Sequence, residues 1–250
     1  MREDVLLGQF FLEDINILEK IAKTASIGKS DTVLEIGAGD GRLTKILAQN
    51  AKKVIAIEID QKFASALEKM PKNVEVIFED VLKILSKKPL PKFTKILGNL
   101  PSSLVEPLFQ KLIKKKFKLA VFLVPKKFAH KIEKHPVFCL YFDTKLVEKV
   151  PKIAFQPVPR TNWEIVLVTK KKDPLKTGDL NLYLRRFVYG HPKAKLKNAL
   201  VEGLIRFYAA KGKKLTKNQA RKLIIKTPSE SEGVSCFLKA SRKEAFILQS

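Results

Sequence analysis

The amino-acid sequence predicts an α/β fold: a seven-stranded parallel sheet with helices on both faces, followed by a small helical domain. Three observations carry that reading. Apolar runs of strand length alternate with segments of helical periodicity from about residue 14 to residue 169. The first run ends in a glycine-rich turn, Glu35-Ile36-Gly37-Ala38-Gly39-Asp40-Gly41, which lets a strand pass directly into a helix. Past Thr169 the strand pattern stops and only helical patterns follow.

Strands are expected over Thr32–Gly37, Val54–Ile59, Val74–Phe78, Thr94–Gly98, Leu119–Val124, Leu140–Val147 and Glu164–Thr169. Between them, Arg42–Gln49, Gln61–Lys69, Leu104–Lys115 and Lys126–Lys134 space apolar residues three and four apart, so each can lay one stripe on the sheet. Lys170-Lys171-Lys172-Asp173-Pro174 joins a charge run to a helix breaker, which sets a first domain over 1–169 and a second over 175–250. In the second, Leu180–Tyr189 and Ala194–Ala210 are amphipathic, Gly190-His191-Pro192 separates them, and Thr216–Ile225 makes a third helix. Ser229-Glu230-Ser231-Glu232 and Ser241-Arg242-Lys243-Glu244 have the form of capping boxes and predict two more helix starts.

Charge is the strongest compositional signal: 49 Lys and Arg against 25 Asp and Glu leave a net +24. Residues 1–169 hold 29 basic and 19 acidic side chains, while residues 170–250 hold 20 and 6, so the surplus is concentrated in the tail. A polyanion, nucleic acid first, is the partner that such a surplus fits. Lysine-rich compositions of thermophiles raise Glu along with Lys and leave less net charge. Hydrophobic content of 45% excludes wholesale disorder, and no apolar run approaches the roughly 18 residues of a membrane span. Met1-Arg2-Glu3-Asp4 opens no secretory pattern, which predicts a cytoplasmic protein. Cys139 and Cys236 read as buried thiols, and His130, His135 and His191 have no ligand spacing, so no metal site is expected.

Gly37, Gly39 and Gly41 allow a sharp turn and a close approach of backbone to ligand, with free N–H groups of the next helix aimed at a carboxylate. A nicotinamide turn would read G-x-G-x-x-G, but Arg42 stands where its third glycine belongs. Glu58 closes the second strand, where a carboxylate can accept both hydroxyls of a ribose. Asp80 follows the third strand, where it can accept from an adenine amino group. Consecutive strand ends thus line one nucleoside-bearing ligand, and their order and spacing predict S-adenosylmethionine.

Further motifs follow the same order. Leu7-Gly8-Gln9-Phe10-Phe11-Leu12 precedes the glycine turn, and Gly98-Asn99-Leu100-Pro101-Ser102 follows the fourth strand. Phe155-Gln156-Pro157-Val158-Pro159-Arg160 precedes the last strand, and Lys193-Ala194-Lys195-Leu196-Lys197-Asn198-Ala199-Leu200 opens a helix of the tail. These segments resemble the F-G-Q-x-F-L, N-L-P-Y, F-x-P-x-P-K and R-K-x-L-x-N-x-L motifs of the ribosomal RNA adenine dimethyltransferases, over essentially all 250 positions. The resemblance implies a class I methyltransferase fold in which the segment with Phe10 and Leu12 covers the methionine end of the cofactor, and Asn99 serves both cofactor and target. It implies a monomer that dimethylates the exocyclic amines of two adjacent adenines near the 3′ end of small-subunit rRNA, within a pre-small ribosomal subunit. Lys193, Lys195 and Lys197 are the expected RNA contacts.

The chemistry accounts for these residue types. The exocyclic amine of adenine is a poor nucleophile because its lone pair is delocalised into the ring, so acceptors placed on its N–H groups must help it pyramidalise. The Asn99 side-chain oxygen and the Leu100 carbonyl can do that, held by the rigid Pro101. A flipped base is gripped between aromatic or apolar faces, and Phe155 is the expected source of one. The motif departs from the family at Ser102, where an aromatic residue is usual and a stacking contribution of about 1–3 kcal/mol is lost. Phe10 and Phe11 are candidates to compensate. Ser102 therefore leaves a second reading open: a ribosome-assembly factor that keeps RNA binding after catalysis has weakened or gone.

Overall fold

The computed structural model describes residues 10–87 and 90–224. Leu7-Gly8-Gln9, the two capping-box segments beyond residue 228, Ile225 and Cys236 lie outside the described residues. The chain divides into two compact units: the first runs to Phe138 and resumes over Phe142–Lys170, and the second comprises Cys139–Tyr141 and the chain from Lys171 onward.

The first unit begins with β1 (Phe11–Leu12), α1 (Ile15–Thr24), β2 (Thr32–Ile36), α2 (Arg42–Asn50) and β3 (Lys53–Glu58). A single helical turn over Gln61–Phe63 leads into α3 (Ala64–Leu67), β4 (Val74–Phe78), α4 (Val81–Lys87) and β5 (Lys95–Asn99). Then come α5 (Ser102–Leu112), β6 (Leu119–Pro125), α6 (Lys126–Lys134), α7 (Phe138–Tyr141), β7 (Phe142–Val150), β8 (Phe155–Gln156) and β9 (Trp163–Lys170). All seven expected strands are present and form one sheet in the order β4-β3-β2-β5-β6-β9-β7.

Five strands, β4, β3, β2, β5 and β6, run parallel, whereas β9 is antiparallel to both β6 and β7. The parallel pattern read from the alternation of strands and helices stops at this edge for a local reason. Residues 151–162 contain Pro151, Pro157 and Pro159 and no α-helix, so no helical crossover returns the chain to the far end of the sheet. A separate two-stranded ladder pairs β1 with β8, Phe11 opposite Gln156 and Leu12 opposite Phe155. Strands of two residues are too short for alternation to reveal them, which is why the sequence pattern shows neither.

Side chains alternate along each strand, and the registers place Val33, Val54, Leu97, Val121 and Ile165 on one face. That face is filled by Leu18 and Ile21 of α1, Leu43 and Leu47 of α2, and Leu67 of α3. On the opposite face Phe122 packs against Phe109 of α5 with 5.7 Å between ring centroids, and Phe142 lies 5.6 Å from the same ring. Central strands buried on both faces read as continuous apolar runs, and this makes Val33-Leu34, Ile55-Ala56-Ile57 and Ala120-Val121-Phe122-Leu123 so legible.

The second unit contains α8 (Pro174–Thr177), α9 (Leu180–Gly190), α10 (Leu196–Ala209) and α11 (Lys217–Leu223). Asp179 caps α9 by accepting from Leu182 N–H at 2.9 Å, and Thr216 with Gln219 forms a capping box on α11. Helices α9 and α10 meet at Gly203, where a Cβ would stand 2.8 Å from Leu184 Cδ2. Leu184, Val188, Leu200, Leu204 and Phe207 are its buried core. The Arg186 guanidinium donates from Nε and Nη2 to the Leu140 carbonyl at 3.0 and 2.8 Å.

At the ends of β2 and β5 opposite the glycine turn, Asp31 is buried with Lys95, Nζ to Oδ2 2.7 Å. Gly28 N–H also donates to Oδ2 at 2.9 Å and the Thr94 hydroxyl to Oδ1 at 2.7 Å. Burial alone would raise the Asp31 carboxyl, but the hydrogen bonds from Lys95, Gly28 and Thr94 outweigh it and hold the group down at about 2. A depressed carboxylate stabilises the fold above its unfolded value of 3.8 and loses that contribution as pH falls towards 2. Asp31→Asn leaves the Lys95 charge unpaired and is expected to cost about 3 kcal/mol in urea unfolding at pH 7. The difference from the parent should shrink between pH 4 and pH 2; a constant difference would show that Asp31 does not carry this acid sensitivity.

Candidate active site

The site is built where β2, β3 and β5 end. Gly37 and Ala38 N–H donate to the Ile57 carbonyl at 2.9 and 3.1 Å, folding the glycine turn over the end of β3. Gly39 N–H donates to Glu58 Oε2 at 2.8 Å, and Ile59 and Asp60 N–H donate to Oε1 at 2.8 and 2.9 Å. Glu58 is 5% exposed, so three backbone donors rather than water satisfy its charge. Gly39 has φ 54°, and a Cβ there would meet the Phe11 ring at 3.6 Å. The turn therefore needs glycine both for its left-handed backbone and for the aromatic ring laid on it.

This geometry narrows the role of Glu58. A carboxylate offers about four lone-pair positions, and three are taken by the backbone. One ribose hydroxyl, rather than two, can be accepted without opening the turn. Beneath the turn, Glu35 is 1% exposed and neither carboxyl oxygen makes a hydrogen bond to a described residue. Burial pushes its carboxyl up to about 8; the neighbouring Thr44 hydroxyl offsets part of this, and the charges of Glu58 and Asp40 add to it.

Asp80 lies at the end of β4, but its Oδ1 accepts from Leu82 N–H at 2.8 Å and its carbonyl accepts from Lys83 and Ile84. It caps α4 through one of about four acceptor positions, and the rest, both of Oδ2 among them, are left for a ligand. Leu12, expected over the cofactor, is 5% exposed and packed in the core. Strand alternation puts the neighbouring Phe11 on the other side, against Gly39. Phe11 was expected only as a stand-in for the aromatic lost at Ser102, and Ile59 is a residue that motif reading missed. Ile59 follows Glu58 directly and is 66% exposed, an apolar side chain held open at the rim of the site.

Asn99 ends β5. Its Nδ2 donates to the Phe10 carbonyl at 2.8 Å, while its Oδ1 is buried without a partner among the described residues. Phe10 thus reaches the site through its backbone, and its ring stands edge-on to Trp163 at 6.0 Å. Leu100 N–H is tied to the Leu123 carbonyl at 2.9 Å, and Pro101 precedes α5 with extended backbone. Ser102 is the first residue of that helix and is exposed. Phe155, the expected stacking face, is 2% exposed with its ring packed on Trp163 at 4.9 Å. Buried among the described residues, with Trp163 packed against it, Phe155 presents no open face for stacking.

In the second unit Lys193 and Lys195 lie in the exposed approach to α10, and Lys197 is exposed in its first turn. Among the described residues no group of His, Cys, Asp and Glu is arranged to hold a metal.

The sheet order and the glycine turn locked onto the β3 carboxylate define a class I methyltransferase, the class that uses S-adenosylmethionine. A dimethyladenosine transferase from Plasmodium falciparum shares the fold with TM-score 0.62 and 27% identity, over 92% of this chain and 95% of that one. The 23S rRNA methyltransferase ErmE shares it with TM-score 0.61 and 22% identity, over 92% of this chain and 100% of its own. A probable ribosomal RNA small subunit methyltransferase A of Methanosarcina mazei is 36% identical over 208 residues, 77% of this chain and 75% of the relative. A relative of the same description from Methanococcus maripaludis is 35% identical over 217 residues, 81% of this chain and 82% of its own length. The chain belongs to the ribosomal RNA adenine dimethylase family, whose model matches residues 3–190.

The raised Glu35 sets a pH dependence of opposite sign to that of Asp31. Its neutral form is favoured in the fold, so the stability it allows is complete below 4.5 and is lost as pH rises to about 8. Glu35→Gln keeps the shape and removes the titration. It should match the parent near pH 5 and exceed it at pH 8 by on the order of 2–4 kcal/mol in urea unfolding; equal stabilities at both pH values would refute a buried neutral carboxyl.

Proposed function

We propose that this chain transfers methyl groups from S-adenosylmethionine to the exocyclic amines of two adjacent adenines near the 3′ end of small-subunit rRNA. It acts as a cytoplasmic monomer on a pre-small ribosomal subunit. The observation that carries the reading is Asn99: its amide nitrogen is fixed by the Phe10 carbonyl, which leaves the buried oxygen as an oriented acceptor without a donor among the described residues. Relatives described as small-subunit rRNA methyltransferases cover three quarters or more of this chain.

The residues fit the cofactor. Glu58 keeps one acceptor position, Ile59 presents an apolar face, Asp80 has a free oxygen, and the positive-φ turn at Gly37 and Gly39 keeps side chains out of the way. When bound, S-adenosylmethionine supplies a methyl group on a cationic sulfur. Asn99 Oδ1 and the Leu100 carbonyl accept from the adenine N–H groups and draw the nitrogen out of conjugation. Pro101 fixes the direction of that carbonyl. Rate enhancement then comes from position and electrostatics, and the amine proton leaves after the new bond has formed.

The second unit, with Lys193, Lys195 and Lys197 exposed, docks the particle through phosphate contacts. No specific observation favours the non-catalytic reading over this one. Among the described residues no helix is long and apolar enough to cross a membrane.

The test is incubation of the full chain with small subunits lacking the modification and methyl-labelled cofactor, followed by nucleoside mass spectrometry. Dimethyladenosine at the RNA 3′ end is expected. Unlabelled RNA, under conditions where an active relative modifies it, refutes the reading. Asn99→Ala should lower kcat about 100- to 1000-fold; a rate within threefold of the parent would remove Asn99 from the chemistry.

A further inference from the structure

Trp163 carries an indole N–H that is buried without a hydrogen-bond partner among the described residues. Buried polar groups are normally paired, so an orphaned donor at a ligand site marks a partner that arrives with the ligand. Asn99 Oδ1, another buried side-chain atom without a partner among the described residues, is an acceptor.

The two lie on one face of the sheet. Asn99 is level with Leu123 in the β5–β6 register, Leu123 is level with Ile165, and Pro125 is level with Trp163. Trp163 therefore stands two strands across from Asn99 and one inward-facing position nearer the end where the site opens. Phe10 links them, with its carbonyl on Asn99 Nδ2 at 2.8 Å and its ring edge-on to the indole at 6.0 Å. Phe155 packs on the indole as well, with 4.9 Å between ring centroids.

An acceptor and a donor held in this order match one purine pattern. Adenine presents its N6 amine, a donor, flanked by the acceptors N1 and N7, whereas guanine presents an acceptor at O6. Asn99 Oδ1 facing O6 would set acceptor against acceptor. We propose that Trp163 is a specificity-determining residue whose Nε1–H donates to a ring nitrogen of the target adenine while Asn99 receives its amine. This deepens the adenine-methylation reading and rests on it. Trp163 is 2% exposed, so the base reaches the indole edge when the half-buried Phe10 ring moves aside. In this arrangement the tryptophan contributes a hydrogen bond through its edge, and its ring face stays packed on Phe155.

Trp163 is the single tryptophan of the chain, which makes its emission a direct reporter. The experiment uses the full chain and small subunits reconstituted with adenine, 1-deazaadenine, 7-deazaadenine or uracil at the target positions. Subunits with adenine should change the Trp163 emission and those with uracil should not. One deaza analogue should lower the parent's kcat/KM about 10-fold, the size of one hydrogen bond to a buried partner. Trp163→Phe, which keeps an aromatic ring, should show the same loss on adenine and no further loss on that analogue. Identical emission with adenine and uracil, or a variant that stays as sensitive to the analogue as the parent, overturns the proposal. If the variant does not fold, the parent's emission and analogue profile decide alone. An adenine-specific emission change without any methyl transfer would refute the catalytic reading and leave the recognition role standing.

Discussion

Backbone N–H groups of Gly39, Ile59 and Asp60 converge on the Glu58 carboxylate, and the geometry of the whole ligand end follows from that convergence. The bond from Gly39 ties the turn after β2 to the end of β3, and the Ile57 carbonyl secures the preceding two amides. The turn is then pinned in the left-handed backbone that Gly37, Gly39 and Gly41 adopt, and α2 starts from a fixed point. Parallel pairing of β2 with β5 carries the constraint one strand further, because Ile36 opposite Gly98 sets the level at which Asn99 emerges. One charged side chain with three amide partners thus coordinates elements from three separate parts of the chain.

The sheet was legible in the sequence because its central strands are buried on both faces and must be apolar at consecutive positions. The glycine turn and Glu58 were legible for a related reason: backbone conformation and buried charge restrict residue identity tightly. What the sequence hid were facts of orientation. Phe11 and Leu12 are neighbours in one short motif, yet only the ladder with β8 decides that Phe11 covers Gly39 while Leu12 enters the core. Asp80 satisfies a ligand motif and a helix cap equally well, and only the bond from Leu82 shows the second use. Phe155 fits a stacking role by type but is closed off by Trp163, eight residues later in sequence, through a contact that no spacing rule contains.

Ser102 has a structural meaning besides the loss of an aromatic ring. As the first residue of α5 it is exposed, directly after the extended Pro101 that occupies the N-cap position. Phe10, whose carbonyl is bonded to Asn99, forms a contiguous aromatic group with Trp163 and Phe155. The backbone bond from Asn99 Nδ2 to the Phe10 carbonyl orients the Asn99 acceptor and does not require the Phe10 ring to stay in one place. A site can give up one stacking face and keep its chemistry if the acceptor geometry is retained, because orientation of the amine contributes more to the rate than grip on the ring.

A strongly basic chain with an acid-lined ligand site has to bring a polyanion close to carboxylates without repelling it, and the structure answers this acid by acid. Glu35 is held neutral by burial, and Glu58 spends its charge on three amides. Asp40 pairs with Arg42 at 2.9 Å and Asp60 with Lys62 at 3.0 Å, while Asp80 is engaged at the N-terminus of α4. Each negative charge at the strand ends is compensated within its own turn of chain, over distances shorter than a Debye length. The net charge of +24 is then what a phosphate backbone meets at longer range. Oxygen acceptors at the strand ends and a large surplus of lysines therefore coexist in one chain, because the first are neutralised locally and the second is summed over the whole surface.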